Sequence, residues 1–406
     1  MKLIIARQLI DCSQDRAACR LQMGIVIEGS RICKVAPLSE LAPFLADPLI
    51  EKTDAKDSYV LPGLIDAHLH LCFDSSTNPI IALERESKNT TLLKMAVAAQ
   101  TELRSGVTTV RDCGAKGLGI LDLKHAIDCG WMEGPDLIAC GPPITITGGH
   151  CHFLNMEADS FQEVQKAVRY LCKHRVDFIK VMVSGGNMTP GSNSLANQYE
   201  KDTLEMIAYE AHSRGKLAAG HIHTTTGIEN AVAAGFDTME HCSFKDPTRK
   251  QDVSYSQELA RRIAEKGISV CPAFGKAYIL PPEEGAPLPE KVGEWQQFQN
   301  SRFETTRAMY GEGINIIAGT DAGCKYSYFH ELHLTLKLLH EKVGMSLEDV
   351  LLSATARAAK TIRAAEVGSL EAGKKADLIF TDGNPLEDPD ALGRVLHVMK
   401  NGKLVR

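Results

Sequence analysis

Residues 216–241 read KLAAGHIHTTTGIENAVAAGFDTMEH. KLAAGHIH is a short, largely apolar run of strand length, GIENAVAAG reads as a helix, and FDTMEH returns as a second strand. The first strand carries His221 in AAGHIH and the second closes on His241. A strand returned by a helix to a neighbouring strand is the unit of a parallel sheet buried on both faces.

The unit recurs in both directions. Upstream, LIDAH (64–68) precedes NTTLLKMAVAAQTELRSG (89–106), VTTVRDCG (107–114) follows as a strand, DLIACG (136–141) precedes SFQEVQKAVRYLCKH (160–174), and DFIKVMV (177–183) precedes DTLEMIAYEAHSRG (202–215). Downstream, SYSQELARRIAEKG (254–267) is a helix, ISVCPAF (268–274) a strand before a long segment ending in FETTRAMYGEG (303–313), and INIIAGTD (314–321) a strand before ELHLTLKLLHEKVG (331–344). Eight strands separated by helices predict an α/β fold, a closed (β/α)8 TIM barrel whose reactive groups stand where strands end. An open doubly wound sheet would not so readily gather the ends of strands one, four, five, six and eight around one centre.

The chain ends have another rhythm. LIIARQLI (3–10), then GIVIEGSRICKVAPL (24–38) with a turn at Gly29–Ser30, read as strands, as do KADLIFT (375–381) and the hairpin RVLHVMKNGKLVR (394–406) around Asn401–Gly402. Neither end can bury a useful core alone. They are expected to pair into a small β-sandwich domain, residues 1–60 plus 365–406, flanking a metal-binding barrel over 61–364.

Composition narrows the function. A 406-residue chain with 44% hydrophobic and 24% charged residues and a net charge of −6 gives no electrostatic reason to expect nucleic acid. The opening MKLIIARQLIDC lacks the core of a secretory signal, and no run reaches the roughly 18 apolar residues that cross a bilayer, so a cytoplasmic protein without a membrane partner is expected. Twelve scattered cysteines without a CxxC pair read as reduced, mainly buried thiols.

Chemistry concentrates at the strand ends. His68 and His70 lie two apart in DAHLH, on one face of extended backbone. The fourth strand supplies Lys180 in DFIKVMV, the fifth His221 in AAGHIH, the sixth His241 and the eighth Asp321. Imidazole and carboxylate at one barrel mouth suit zinc, and manganese, cobalt or iron as well. Lys180, between Ile179 and Val181, is expected to be driven toward the neutral amine by desolvation, and a neutral amine can take up carbon dioxide to become a carbamate bridging two metals.

The stretches VLPGLIDAHLHL (60–71), SGVTTVRDCG (105–114), GGHCHF (148–153), FIKVMVSGGNMTPGS (178–192), residues 218–244, IIAGTDAG (316–323) and VGSLEAGKKADLIFTDGNPL (367–386) together resemble the amidohydrolase superfamily, in its imidazolonepropionase-like and Xaa-Pro dipeptidase-like branch. The resemblance spans nearly the entire chain. It implies a binuclear centre of two divalent metal ions, with zinc expected: His68 and His70 on the more buried ion, His221 and His241 on the more exposed one, carboxylated Lys180 as the bridge, and Asp321 as the last ligand. Imidazolonepropionases typically use one metal and no bridging lysine, so Lys180 argues against that reaction here. The expected reaction is hydrolysis of an amide in a small molecule, such as an Xaa-Pro-like dipeptide or an N-acyl amino acid, by attack of a hydroxide shared between the metals, with Asp321 as the catalytic residue that moves the proton. The runner-up is hydrolysis of a cyclic amide, urea, carbamate or lactone, and the alternative of another class is a barrel scaffold without catalysis. The resemblance also places His150 and His223 beside the substrate. No cofactor beyond metal is implied, and association into a homo-oligomer is left open.

Smaller expectations complete the picture. Arg111 is expected to pair with its neighbour Asp112. SGGNMTPGS (184–192) reads as an ordered active-site loop and ILPPEEGAPLPEK (279–291) as a rim or lid element. Phe153, Met188, Phe274 and Tyr278 are candidates for pocket lining or packing, and His330 and His333 for weaker roles.

Overall fold

In the computed structural model, residues 1–246, 248, 253–275 and 292–405 are described. In chain order, β1 (Lys2–Ile10), β2 (Cys19–Glu28), β3 (Arg31–Pro37), β4 (Glu51–Asp54) and β5 (Tyr59–Pro62) come first. Then follow β6 (Leu64–Leu69), β7 (Val107–Asp112), β8 (Asp136–Ala139), β9 (Phe178–Met182), β10 (Leu217–Thr224), β11 (Thr238–Lys245) and β12 (Ser269–Cys271), and finally β13 (Leu378–Thr381), β14 (Val395–Lys400) and β15 (Lys403–Leu404).

The two chain ends meet in one eight-stranded sheet ordered β15-β14-β13-β5-β1-β2-β3, with β4 also beside β1. The sequence pattern suggested a sandwich. β5 instead carries β1 in parallel on one edge and β13 antiparallel on the other, so the hydrogen-bonded path runs unbroken from one chain end to the other. Ile4, Leu9, Ile25 and Ile27 pack with Leu378, Phe380 and Met399 in one apolar cluster. At roughly 1.5–3 kcal/mol for each fully buried aliphatic or aromatic side chain, neither end keeps this gain without the other. The predicted hairpin forms, with Lys400 opposite Lys403 across Asn401–Gly402.

Between the ends lie two parallel sheets, β6-β7-β8 and β9-β10-β11-β12. Every residue of β6, β7, β9 and β10 is buried, as strands covered on both faces require. The stretch 216–241 folds as read. Thr224 caps the helix Thr225–Ala234 by accepting from Gly227 N at 3.1 Å, and Gly235, at φ 80°, ends it in the left-handed conformation that favours glycine. The chain then re-enters the sheet with Ala219 opposite Thr238.

The eighth predicted strand is not a ladder strand. Residues 314–322 make single bridges, Ile316 to Val270 and Ala322 to Leu69. Two features explain this. Asp321 has φ 57°, outside the extended region, and Gly319 lies so close to β6 that a Cβ there would sit 2.7 Å from His68 Cβ. The same closeness lets Asp321 N donate to His68 O at 2.8 Å. Isolated bridging from Ile144 to Val181 connects the segment after β8 to β9.

All twelve cysteines are free thiols and seven are buried, in line with the sequence. Among the described residues no helix is long and apolar enough to cross a membrane.

Candidate metal centre

β6 delivers His68 and His70 to one side. Their Nε2 atoms lie 3.4 Å and 3.3 Å from the same oxygen, Asp321 Oδ1. Their Nδ1 atoms face acceptors instead: Glu240 Oε2 at 2.7 Å for His68, and the Gly114 carbonyl at 3.0 Å for His70. A carbonyl or carboxylate oxygen only accepts, so each ring spends its proton at Nδ1 and turns a bare Nε2 lone pair toward the Asp321 carboxylate. Two lone pairs and a carboxylate oxygen facing one another repel unless a cation lies among them.

A second set adjoins the first. His221, His223 and His241 bring ring nitrogens within 4.8 Å of one another, as do His68, His70 and Asp321 with their own donor atoms. His68 and His241 ring centroids are 5.3 Å apart, so the two sets touch. His221 Nε2 is buried and has no hydrogen-bond partner, an orphaned donor site of the kind that native interiors seldom leave. The residues present therefore fit divalent metal on three grounds: orphaned nitrogen, facing lone pairs, and an imidazole–carboxylate donor set.

Electrostatics agree. Burial pushes His68 down to about 4 and His150 to about 3, and holds His221, His223 and His241 well below the ordinary imidazole value, so these rings are neutral near pH 7. Asp321 is held well below the ordinary carboxylate range despite its burial, so its carboxylate is ionised near pH 7.

Lys180 stands among the same groups. Its side chain is buried in β9, and burial does lower its pKa, but Cys113, Glu240 and Cys140 outweigh that and the net shift is upward. Cys113 and Cys140 are pushed up by burial, the former to about 12, so both thiols are uncharged at neutral pH.

Lys180, His70, His150, His221, His223, His241 and Asp321 all line one cavity of about 830 Å³, with His68 behind its wall. A cleft of about 880 Å³ at the strand starts, by Leu217, Asp237 and Ser269, is remote from all of them. His150 ring centroid lies 4.4 Å from that of His221, and Thr189 holds its Nδ1 at 3.0 Å. His223 Nδ1 meets Ser243 Oγ at 2.9 Å. The 184–192 loop contributes Asn187, Met188 and Pro190 to the lining, and Phe153 is there too. Phe274 packs instead against Phe303, with ring centroids 4.8 Å apart. Tyr278 and segment 279–291 lie outside the described residues. His330 and His333 stand away from the cavity lining. His241, Cys242, Phe244, Ala273 and Asp321 all have φ between 46° and 65°, a clustering of strained non-glycine backbone at one place.

Arg111 does not pair with Asp112. It donates through Nη2 to Glu240 Oε1 at 2.7 Å and through Nε to Ala67 O at 2.6 Å, while Asp112 accepts from Leu71 N and Gly114 N. Glu240 escaped the sequence reading, although an acid adjoining a strand-end histidine in FDTMEH was its signal. Arg302 escaped it for lack of any local signal. Its guanidinium lines the cavity, stands 5.0 Å over Phe274 and reaches Pro272 O, all through packing of the helix Val292–Gly311.

Lys245, also unforeseen, ends β11 with Nζ 2.9 Å from Ser194 Oγ and 4.7 Å from the Phe298 ring centroid. Burial, reinforced by Arg302, lowers it from 10.5 to about 8. Below pH 8 folded and unfolded chains both carry the proton and the fold bears the cost of burying it. Between about 8 and 10.5 only the unfolded chain keeps the proton, so stability rises with pH. Lys245→Met is therefore expected to be about 2–3 kcal/mol more stable than the parent at pH 7, the shift less a lost cation–π contact, with the difference closing by pH 10.5. Urea midpoints at the two pH values measure it, and an equal gain at both would refute it.

The family model described as the amidohydrolase family matches residues 59–405. The chain is 26% identical to an ochratoxinase of Aspergillus niger, over 98% of this chain and 89% of the relative. It is also 26% identical to an imidazolonepropionase of Geobacillus kaustophilus, over 98% and 96%. Among solved structures, a Xaa-Pro dipeptidase with bound methionine in its active site superposes with a TM-score of 0.86 at 29% identity, covering 100% of this chain and 99% of that one.

Proposed function

We propose that this chain, which belongs to the amidohydrolase family, is a binuclear metal-dependent hydrolase that cleaves an amide bond in a small molecule such as a dipeptide or an N-acyl amino acid. The observation that carries the proposal is the convergence of the Nε2 atoms of His68 and His70 on Asp321 Oδ1, beside the orphaned Nε2 of His221. His68, His70 and Asp321 would hold one ion, His221 and His241 the other, and Lys180, once carboxylated, would join them. Residues 61–364 would form a closed (β/α)8 barrel around this centre, with 1–60 and 365–406 as the small β domain.

Divalent ions held there, zinc being the expected one, would supply Lewis acidity and a water acidified to near neutrality. The chain does the rest. Asp321, ionised and on the cavity wall, accepts the proton of the attacking water and returns it to the leaving nitrogen, so that one amide C–N bond breaks while a carboxylate and an amine form. His150 and His223 face the same cavity as neutral imidazoles able to hold a substrate carboxylate or carbonyl by hydrogen bonds.

Protein purified without chelator and loaded with metal is expected to release free amines from members of a panel of dipeptides, N-acyl amino acids, cyclic amides and lactones, read by product mass. Removing metal with a chelator should abolish turnover and adding metal back should restore it. Ammonia as the sole amine product, or no divalent ion in the purified protein, would overturn the proposal.

A further inference from the structure

We infer that Glu240 is a positioning residue: held by Arg111 and Thr238, its carboxylate fixes the ring proton of His68 on Nδ1 and so presents Nε2, unprotonated, toward His70 and Asp321. The inference rests on the metal-hydrolase reading only for what occupies the space in front of that Nε2.

Glu240 is fully buried in β11. Both of its oxygens are committed. Oε1 accepts from Arg111 Nη2 at 2.7 Å and from Thr238 Oγ1 at 2.9 Å, and Oε2 meets His68 Nδ1 at 2.7 Å. Arg111 is itself immobilised, through Nε to Ala67 O, through Nη1 to Thr238 Oγ1 at 3.1 Å, and by lying 5.2 Å from the Phe178 ring centroid. Arg111 and Glu240 thus make a buried ion pair spanning β7 and β11, which His68 on β6 completes as a third member.

Glu240, His68 and Cys271 also have atoms within 4.8 Å of one another, which raises the alternative that Glu240 is itself a metal ligand. Arg111 decides against it. A guanidinium 2.7 Å from the carboxylate already supplies its countercharge, and a divalent ion there would be repelled by a neighbouring cation. Glu240 therefore acts on the site through His68. Partners of this kind, which orient a ligating imidazole and set its tautomer, typically change metal affinity 10–100-fold when lost.

Glu240→Gln tests this sharply, because the surroundings dictate which way the amide turns. Two donors, Arg111 and Thr238, demand the oxygen on their side, so the NH2 must face His68 and donate to Nδ1. The ring proton is then forced onto Nε2, where it blocks ligation. The shape of the side chain hardly changes.

The experiment uses full-length, metal-free protein labelled with 15N-histidine, with proton–nitrogen correlation spectra and His68 resonances identified by their loss in His68→Gln. The parent is expected to carry its His68 proton on Nδ1 and the E240Q variant on Nε2. Zinc affinity, by competition with a chromophoric chelator, should fall 10–100-fold in E240Q. At saturating zinc, activity should recover with KM unchanged. A parent His68 protonated on Nε2, or E240Q binding zinc as tightly as the parent, would overturn the inference. Should E240Q fail to fold, the parent spectrum decides alone. A parent that binds no divalent metal yet keeps its His68 proton on Nδ1 would remove the hydrolase reading and leave the clamp standing.

Discussion

Replacing Asp321 by alanine is expected to lower kcat about 10²–10⁴-fold on whichever amide proves to be the substrate, while much of the bound metal remains. Among the described residues Asp321 is the carboxylate on the cavity wall that meets both His68 and His70, and it is ionised near pH 7. Removing it takes away one donor atom of several, yet also takes away the carboxylate proposed to accept a proton from water and deliver it to nitrogen. Alanine also fits poorly at φ 57°, so part of any loss could come from the backbone. Asp321→Asn separates the two effects. Asparagine tolerates the left-handed conformation and keeps the shape, but its amide is no base at neutral pH. Steady-state kinetics with metal analysis of both variants should show the same fall in kcat for each. Turnover in D321N close to that of the parent would sink the proton-transfer role.

What the sequence made legible was local. Buried parallel strands are short apolar runs that end where polarity begins, so β6 to β12 stood out, and the residues at their ends stood out with them. Asp321 was recognised although its strand was not regular, because IIAGTD keeps the apolar run up to Ala318 and departs from extended geometry only beyond it. What the sequence hid was the identity of partners. Arg111 has Asp112 beside it in the chain, but a side chain on a buried strand reaches across to other strands, and its carboxylate lies 129 residues away. The surroundings of Lys180 were hidden for the same reason. Its flanking Ile179 and Val181 announce desolvation, while Glu240, which counters it, arrives from β11. The path by which the chain ends join was equally remote, since it turns on β5 pairing with both β1 and β13.

Arg111→Met is expected to destabilise the metal-free protein by about 3–5 kcal/mol, the usual consequence of removing one partner of a buried ion pair. Arg111 and Glu240 are both essentially inaccessible to water, at 1% and 0% side-chain exposure. Methionine fills much of the arginine stem's volume beside Phe178, so the loss measures charge more than packing. What it strands is Glu240, a carboxylate in the interior with Thr238 and His68 as remaining donors. Adding Glu240→Gln should then return part of the stability, because a neutral amide without its guanidinium is far cheaper to bury than an anion. The double variant should therefore be more stable than R111M alone, even though E240Q impairs metal binding in the parent. Urea midpoints at unchanged slope give all three values. A loss below about 1 kcal/mol in R111M, or a double variant less stable than R111M, would show that Glu240 does not depend on Arg111 for its charge, and the clamp on His68 would lose its anchor.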